Sequence, residues 1–248
     1  MFRKLPLFLL ALPLLLLSSC IEGEEEVWIN QDASGRVKAR YSIPPLAMKQ
    51  IGVPEDYVRA IKLVDEREDG IAVQHVSFET IKGRVVFELQ ATFDNALDLL
   101  EIAKRSEQVF VDEANANPNH LDALSGEIDV GMETLNPFFS RQVALGGLFP
   151  TMVRKSPKML GKSNFKYTIH LPVEVKETNA HEISDDKRTV SWTFLLKEYA
   201  EGPMVMKVKT AFPLPWWILT LLALILFFVI WLIWKRRKRR LHRSERKA

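Results

Sequence analysis

One thiol, five histidines and two runs of carboxylates are the side chains with which this chain could do chemistry. Cys20 has no second cysteine to pair with, so it can close neither an internal disulfide nor a CxxC metal site. His75, His120, His170, His181 and His242 never recur at i,i+3 or i,i+4, which withholds the helical metal-ligand pattern; no metal and no cofactor is expected. His75 shares a strand face with Ser77 and Glu79 and reads as a surface histidine. Glu24-Glu25-Glu26 and Asp65-Glu66-Arg67-Glu68-Asp69 could supply carboxylates for acid–base work. The plainer reading is solvated surface, the second run ending a helix and the first standing off an anionic membrane. The sequence holds no GxSxG, P-loop or GxGxxG; a serine, a histidine and an aspartate assembled across the fold stay open as an alternative.

The setting of Cys20 gives the thiol a role. Arg3 and Lys4 open the chain, an apolar run follows from Leu5 to Leu17, and Ser18 and Ser19 precede the cysteine. This is the three-part form of a secretory signal, and the run is too short for a ~30 Å hydrocarbon core. Leu17-Ser18-Ser19-Cys20 resembles a bacterial lipobox, which implies acylation (such as palmitate) at Cys20 and cleavage just before it. The alternative is an ordinary signal peptide followed by an unmodified cysteine.

At the other end, residues 216 to 234 are nineteen positions without a charge, about the length of a bilayer core at 1.5 Å per residue, with Trp216, Trp217, Trp231 and Trp234 at its ends. The tail from 235 to 248 carries nine Lys or Arg and one Glu, a net of +8, and reads as a positive-inside stop-transfer signal. The expected plan is a signal peptide over 1–19, an extracytoplasmic domain over 20–212 acylated at Cys20, a transmembrane helix over 213–234 and a cytoplasmic basic tail over 235–248. The chain as a whole is +3, but residues 20 to 234 sum to −7, so the basic average is no argument for a nucleic-acid partner.

The elements between these ends alternate with period two or 3.6. Val27 and Ile29, then Val37, Ala39, Tyr41 and Ile43 around Asp32-Ala33-Ser34-Gly35, read as a hairpin with one buried face. Pro54-Glu55-Asp56 opens a helix with Tyr57, Ile61 and Val64 on one face and Gly70 as its stop. Residues 71 to 80 and Val85 to Phe93 flank Lys82-Gly83 as a second hairpin, and Asp94 is a candidate N-cap for a helix reaching about Gln108. Residues 126 to 134 and the alternating runs from Phe165, Val190 and Met204 supply later strands. The expected fold class is α+β: an antiparallel sheet of two N-terminal hairpins and several C-terminal strands, two or three helices, then one C-terminal transmembrane helix.

EEEVWINQDASGRVKARYSIP and LPVEVKETNAHEISDDKRTVSWTFLL resemble the mycobacterial LppM-type lipoprotein domain, with its D-x-S-G-like turn after the cysteine, its L-P-x-x-V-x-x-x-N-A stretch and its T-V-x-W strand. The resemblance implies an envelope protein that binds lipids or glycolipids and carries no catalytic residues. The residues themselves mark 135 to 153 as the candidate contact surface: Phe138, Phe139, Leu145, Leu148, Phe149 and Met152, flanked by Arg141, Arg154, Lys155 and Lys158, combine acyl-chain contacts with a basic rim. A core helix followed by a loop is the alternative.

The expected function is membrane-apposed, non-enzymatic lipid or glycolipid binding at the bacterial cytoplasmic membrane. An accessory or scaffold subunit of an envelope assembly, with a protein partner, and a tethered hydrolase are the alternatives; membrane lipids are the expected partners and nucleic acid is not. With short tethers at both ends, the first and last strands are expected to run antiparallel, leaving and returning to one bilayer on which the domain sits flat.

Overall fold

The computed structural model describes residues 21–45, 47, 48, 53–97, 126–133, 136–145, 154–211, 218 and 220–232. The chain divides into two units, residues 1–211 and residues 212–248.

Both hairpins form as their patterns require. β1 (Glu22–Ile29) and β2 (Gly35–Ile43) pair antiparallel, and the turn between them is closed by the Asp32 carboxylate, which accepts from the Ser34 amide at 3.1 Å and the Ser34 hydroxyl at 2.7 Å. Those two bonds hold the Asp32 carboxyl below the usual range. Gly35 is needed at the end of the turn, because a Cβ there would stand 2.0 Å from the Trp28 carbonyl oxygen and 2.4 Å from the Phe93 ring. β3 (Ile71–Ile81) and β4 (Arg84–Phe93) form the second hairpin, with Lys82 and Gly83 both at positive φ. Between the hairpins α1 (Pro54–Arg67) starts on a proline and buries Tyr57 and Ala60. Asp65, in the acidic run at the end of α1, accepts the Val73 amide at 2.6 Å.

β5 (Glu127–Glu133), β6 (Asn136–Val143), β7 (Asn164–His170), β8 (Val175–Thr178), β9 (Glu182–Ile183), β10 (Thr189–Leu195) and β11 (Met204–Thr210) complete the domain. They fall into two sheets, in the order β3-β4-β2-β1-β7-β10-β9 and β5-β6-β11-β8. The core lies between them, around Phe165, Tyr167, Trp192, Met204 and Met206, and a smaller cluster of Ile43, Met48 and Tyr57 sits under α1; Tyr41 packs against both.

Three expectations are corrected. The sheet is not single and not wholly antiparallel: β1 joins the two halves of the large sheet by pairing antiparallel with β2 and parallel with β7. Alternation of side chains is the same in both pairings, so the pattern could not separate them. The expected C-terminal transmembrane helix is also overturned. Among the described residues no helix is long and apolar enough to cross a membrane. The second unit is described as helical at residue 218 and over 220–232. The expected helix from Asp94 lies mostly outside the described residues, and β8 and β9 were not anticipated.

The third correction concerns direction. Ile21 joins the sheet at the Asn164 end of β7, where Asn164 donates its amide to the Ile21 carbonyl at 3.0 Å. β10 runs back to that end, and β11 then rises the same way as β7 until the Ala211 amide bonds the Glu174 carbonyl, beyond the opposite end of β7, at 2.9 Å. The first and last strands therefore point the same way in facing sheets, and the domain receives and releases the chain at opposite ends.

Gly35→Ala should lower domain stability by about 1–3 kcal/mol, because backbone has to shift to admit the methyl group. Urea denaturation followed by circular dichroism measures this, and a wild-type midpoint in the variant would contradict the close approach.

Candidate functional site

β1 carries three consecutive glutamates whose alternation sends them to different environments. Glu24 and Glu26 face outward, and Glu25 is directed between the sheets, 8% exposed. There it meets Arg141 of β6, itself 7% exposed, in a buried ion pair that crosses from one sheet to the other. The Tyr41 hydroxyl donates to the same carboxylate, and the Arg141 guanidinium lies 4.9 Å above the Tyr167 ring. Gly23 makes room for this group, since a Cβ on it would come within 3.0 Å of both the Phe165 and Tyr41 rings.

Burial dominates the electrostatics here. It pushes the Tyr41 hydroxyl well above its ordinary range, with the Glu25 charge adding to the effect, and raises Tyr167 to about 12 against the opposing pull of Arg141. For Arg141, burial alone would lower the pKa, but Glu25 and the tyrosine oxygens carry it above its ordinary value. The arrangement pairs one carboxylate with one guanidinium away from water, which suits a structural tie between the sheets.

A second polar cluster lies on the outer face of the large sheet. His170 stacks on Trp28 with ring centres 5.0 Å apart, and the Arg36 guanidinium lies 4.2 Å from the centre of the same indole. The imidazole Nε2 is 2.7 Å from Glu26 Oε1 and Nδ1 is 3.0 Å from Thr189 Oγ1. Hydroxyl, imidazole and carboxylate thus stand in the order used for nucleophile activation. Beside them is a groove of about 370 Å³ lined by Glu22, Glu24, Arg40, Ser42, Asn164 and Lys166. The cross-strand ion pair of Lys166 with Glu24 at 3.6 Å spans its floor, and its Arg40 reaches out of the groove to Glu88 at 3.4 Å; both pairs are exposed and worth little each. Among the described residues no group of three His, Cys, Asp or Glu converges to hold a metal.

The expected contact surface is divided by the structure. Phe139 and Leu145 pack against the main core, while Phe138, its neighbour on β6, has its ring across Gly131 of β5 on the other face of the sheet. Arg141, assigned to a basic rim, is the buried partner of Glu25; Arg154, Lys155 and Lys158 are exposed. Leu148, Phe149, Met152 and Cys20 lie outside the described residues. What the sequence did not single out is the edge of the small sheet. Val130 and Met132 of β5 pair with Phe139 and Pro137 and so share the core-facing side, yet they are 36% and 56% exposed. Alternation in EIDVGME placed them on one face of a strand, and only the sheet order shows that the face is partly uncovered.

Two residues of the stretches that carry the resemblance meet across the sandwich. Asn179 Oδ1 accepts from Trp192 Nε1 at 2.9 Å and from the Lys207 amide at 2.7 Å, and its Nδ2 donates to the Val205 carbonyl at 2.8 Å. A single amide therefore ties β10 of one sheet to β11 of the other.

Glu25→Gln or Arg141→Met alone should cost about 3–5 kcal/mol, and the double variant should recover most of it, because a lone buried charge is worse than none. The folded-state pKa values of Tyr41 and Tyr167 are raised above the unfolded value of 10.0, so their contribution is complete below about pH 10 and is lost as pH rises through the folded values. Tyr167→Phe should flatten that alkaline fall in chemical-denaturation midpoints measured between pH 8 and pH 12.

No family model and no curated protein matches the chain. Among solved structures it is similar to the NMR structure of the folded domain of the Mycobacterium tuberculosis LppM protein, at 15% identity and a TM-score of 0.45, covering 79% of this chain and 92% of that one. A likeness of this size does not make the chain a member of the LppM-type family.

Proposed function

We propose that the chain is a non-enzymatic, acyl-anchored protein of the bacterial envelope that binds lipid or glycolipid through its extracytoplasmic domain. The observation that carries the anchoring is the attachment of Ile21. Its amide donates to Ser163 Oγ at 2.8 Å and its carbonyl accepts from Asn164, so the residue directly after Cys20 is already part of the sheet. In the sequence Leu-Ser-Ser-Cys, an acyl group on Cys20 would leave no free tether and hold that end of the sandwich at the bilayer. Ligand binding is supported by the exposed core-facing side of β5, where Val130 and Met132 continue the apolar surface begun by Phe139.

The order Thr189, His170, Glu26 favours a tethered hydrolase as the second reading. The two readings separate experimentally. Native mass spectrometry of the full chain extracted from a bacterial envelope should show bound lipid, reduced several-fold in Met132→Lys without a fall in thermal midpoint; recovery of wild-type protein free of lipid would contradict binding. Hydrolysis of p-nitrophenyl esters should be unchanged in Thr189→Val, whereas a loss of ~10²-fold or more would make Thr189–His170–Glu26 an active site.

A further inference from the structure

We infer that the end of the sandwich at which the chain comes in is a docking face for anionic phospholipid headgroups, so that the domain stands on the bilayer end-on. The inference rests on the proposed acylation of Cys20, and goes beyond it by assigning a surface and an orientation. Residues 154–162 hold Arg154, Lys155, Lys158 and Lys162 with no acidic residue among them, and all four are exposed. The segment is not a loose tail. Leu160 is 5% exposed within the main core, and Ser163, fully buried, is the residue that receives the Ile21 amide. The basic segment and the acylation site are therefore fastened to each other, one peptide bond from Cys20.

Two further lysines are brought to the same end by topology. Lys197 lies on the 3₁₀ turn Leu196–Glu198, joined to Ser163 by the Leu196 amide at 3.0 Å, and Lys82 forms the β3–β4 turn, which falls at this end because β4 starts beside Ile43 at the end of β2. Among the described residues Glu22, Glu127, Glu198 and Glu201 lie on the strands and turns at this end and Glu55 and Asp56 open α1 near it, but the 154–162 segment itself carries four positive charges and no negative one. At the opposite end Asp32, Asp94, Glu174, Asp185 and Asp186 occupy the turns, against Lys187 and Arg188. Among the described residues the two ends thus differ in charge, with the basic segment at the proposed anchor.

Lysine suits this task. Its ammonium is a point charge on a flexible stem and can follow mobile phosphates without a fixed geometry. Two or three acyl chains at Cys20 would already hold the chain at the membrane, and a basic patch beside them fixes which face of the domain meets the headgroups. The chemistry commits to anionic lipid rather than nucleic acid, because the covalent anchor would place this face at the headgroups and nowhere else.

The test uses the full mature chain, labelled with an environment-sensitive fluorophore at Ser156→Cys or, at the far end, Asp185→Cys, in vesicles of phosphatidylcholine with and without 30% phosphatidylglycerol. Quenching by headgroup nitroxides should be about three-fold stronger at position 156 than at 185 when anionic lipid is present. It should fall to the level at 185 in 0.5 M salt, where screening shortens to a few ångströms, and in the variant K155E/K158E/K162E. Equal quenching at the two positions, or quenching at 156 that ignores phosphatidylglycerol, would falsify the docking face. The acyl state of Cys20 is read by mass on the same samples. An unmodified cysteine overturns the anchoring reading, whereas an acylated chain with no preferential quenching at 156 overturns the docking face alone.

Discussion

The ion pair between Glu25 and Arg141 sets what the rest of the domain can do. Both groups are removed from water, at a desolvation cost of several kcal/mol each, and that cost is offset only if they meet with good geometry and further hydrogen bonds. Tyr41 supplies one such bond and the Tyr167 ring covers the guanidinium. The consequence is sidedness. With Glu25 fixed inward, Glu24, Glu26 and Trp28 must face outward, and a slip of one residue would bury two unpaired carboxylates. Because β1 is the strand that joins both halves of the large sheet, its register also sets the position of Ile21 against Ser163 and Asn164.

Local patterns in the sequence were sufficient for local structure. The Asp32-Ala33-Ser34-Gly35 turn, the proline that opens α1 and the alternating runs of β3, β4, β7, β10 and β11 each carry their signal within a few residues, and each element formed. Pairing partners lie far apart in sequence and left no such signal. Nothing in EGEEEVWI distinguishes a strand with an antiparallel neighbour from one that also has a parallel neighbour, and the division into two sheets followed the same blind spot. The glutamate run was misread for a related reason: composition marked it as surface, while the alternation of a strand assigns its middle member to the interior.

The candidate site divides along the same line. Phe138 and Phe139 are neighbours in sequence and so look like one apolar surface, but adjacent residues of a strand face opposite ways, and only Phe139 meets the core. Arg141 was grouped with Arg154, Lys155 and Lys158 by proximity, and folding separates it from them by burying it beside a residue 116 positions away. The three that remain exposed gain significance from a contact no sequence pattern could show, the attachment of their segment to the start of β1. The expectation of a chain held flat between two anchors falls with the membrane helix and with the parallel sense of the first and last strands. We propose in its place an upright domain held at one end.

End-on anchoring depends on the state of Cys20 more than on any other residue. Intact-mass measurement of the mature chain purified from envelope membranes tests it directly. The expected species is a chain beginning at Cys20 and heavier than the unmodified sequence by a diacylglyceryl group, with or without an N-terminal acyl chain. A chain that begins elsewhere, or one whose Cys20 carries a free thiol, would contradict it.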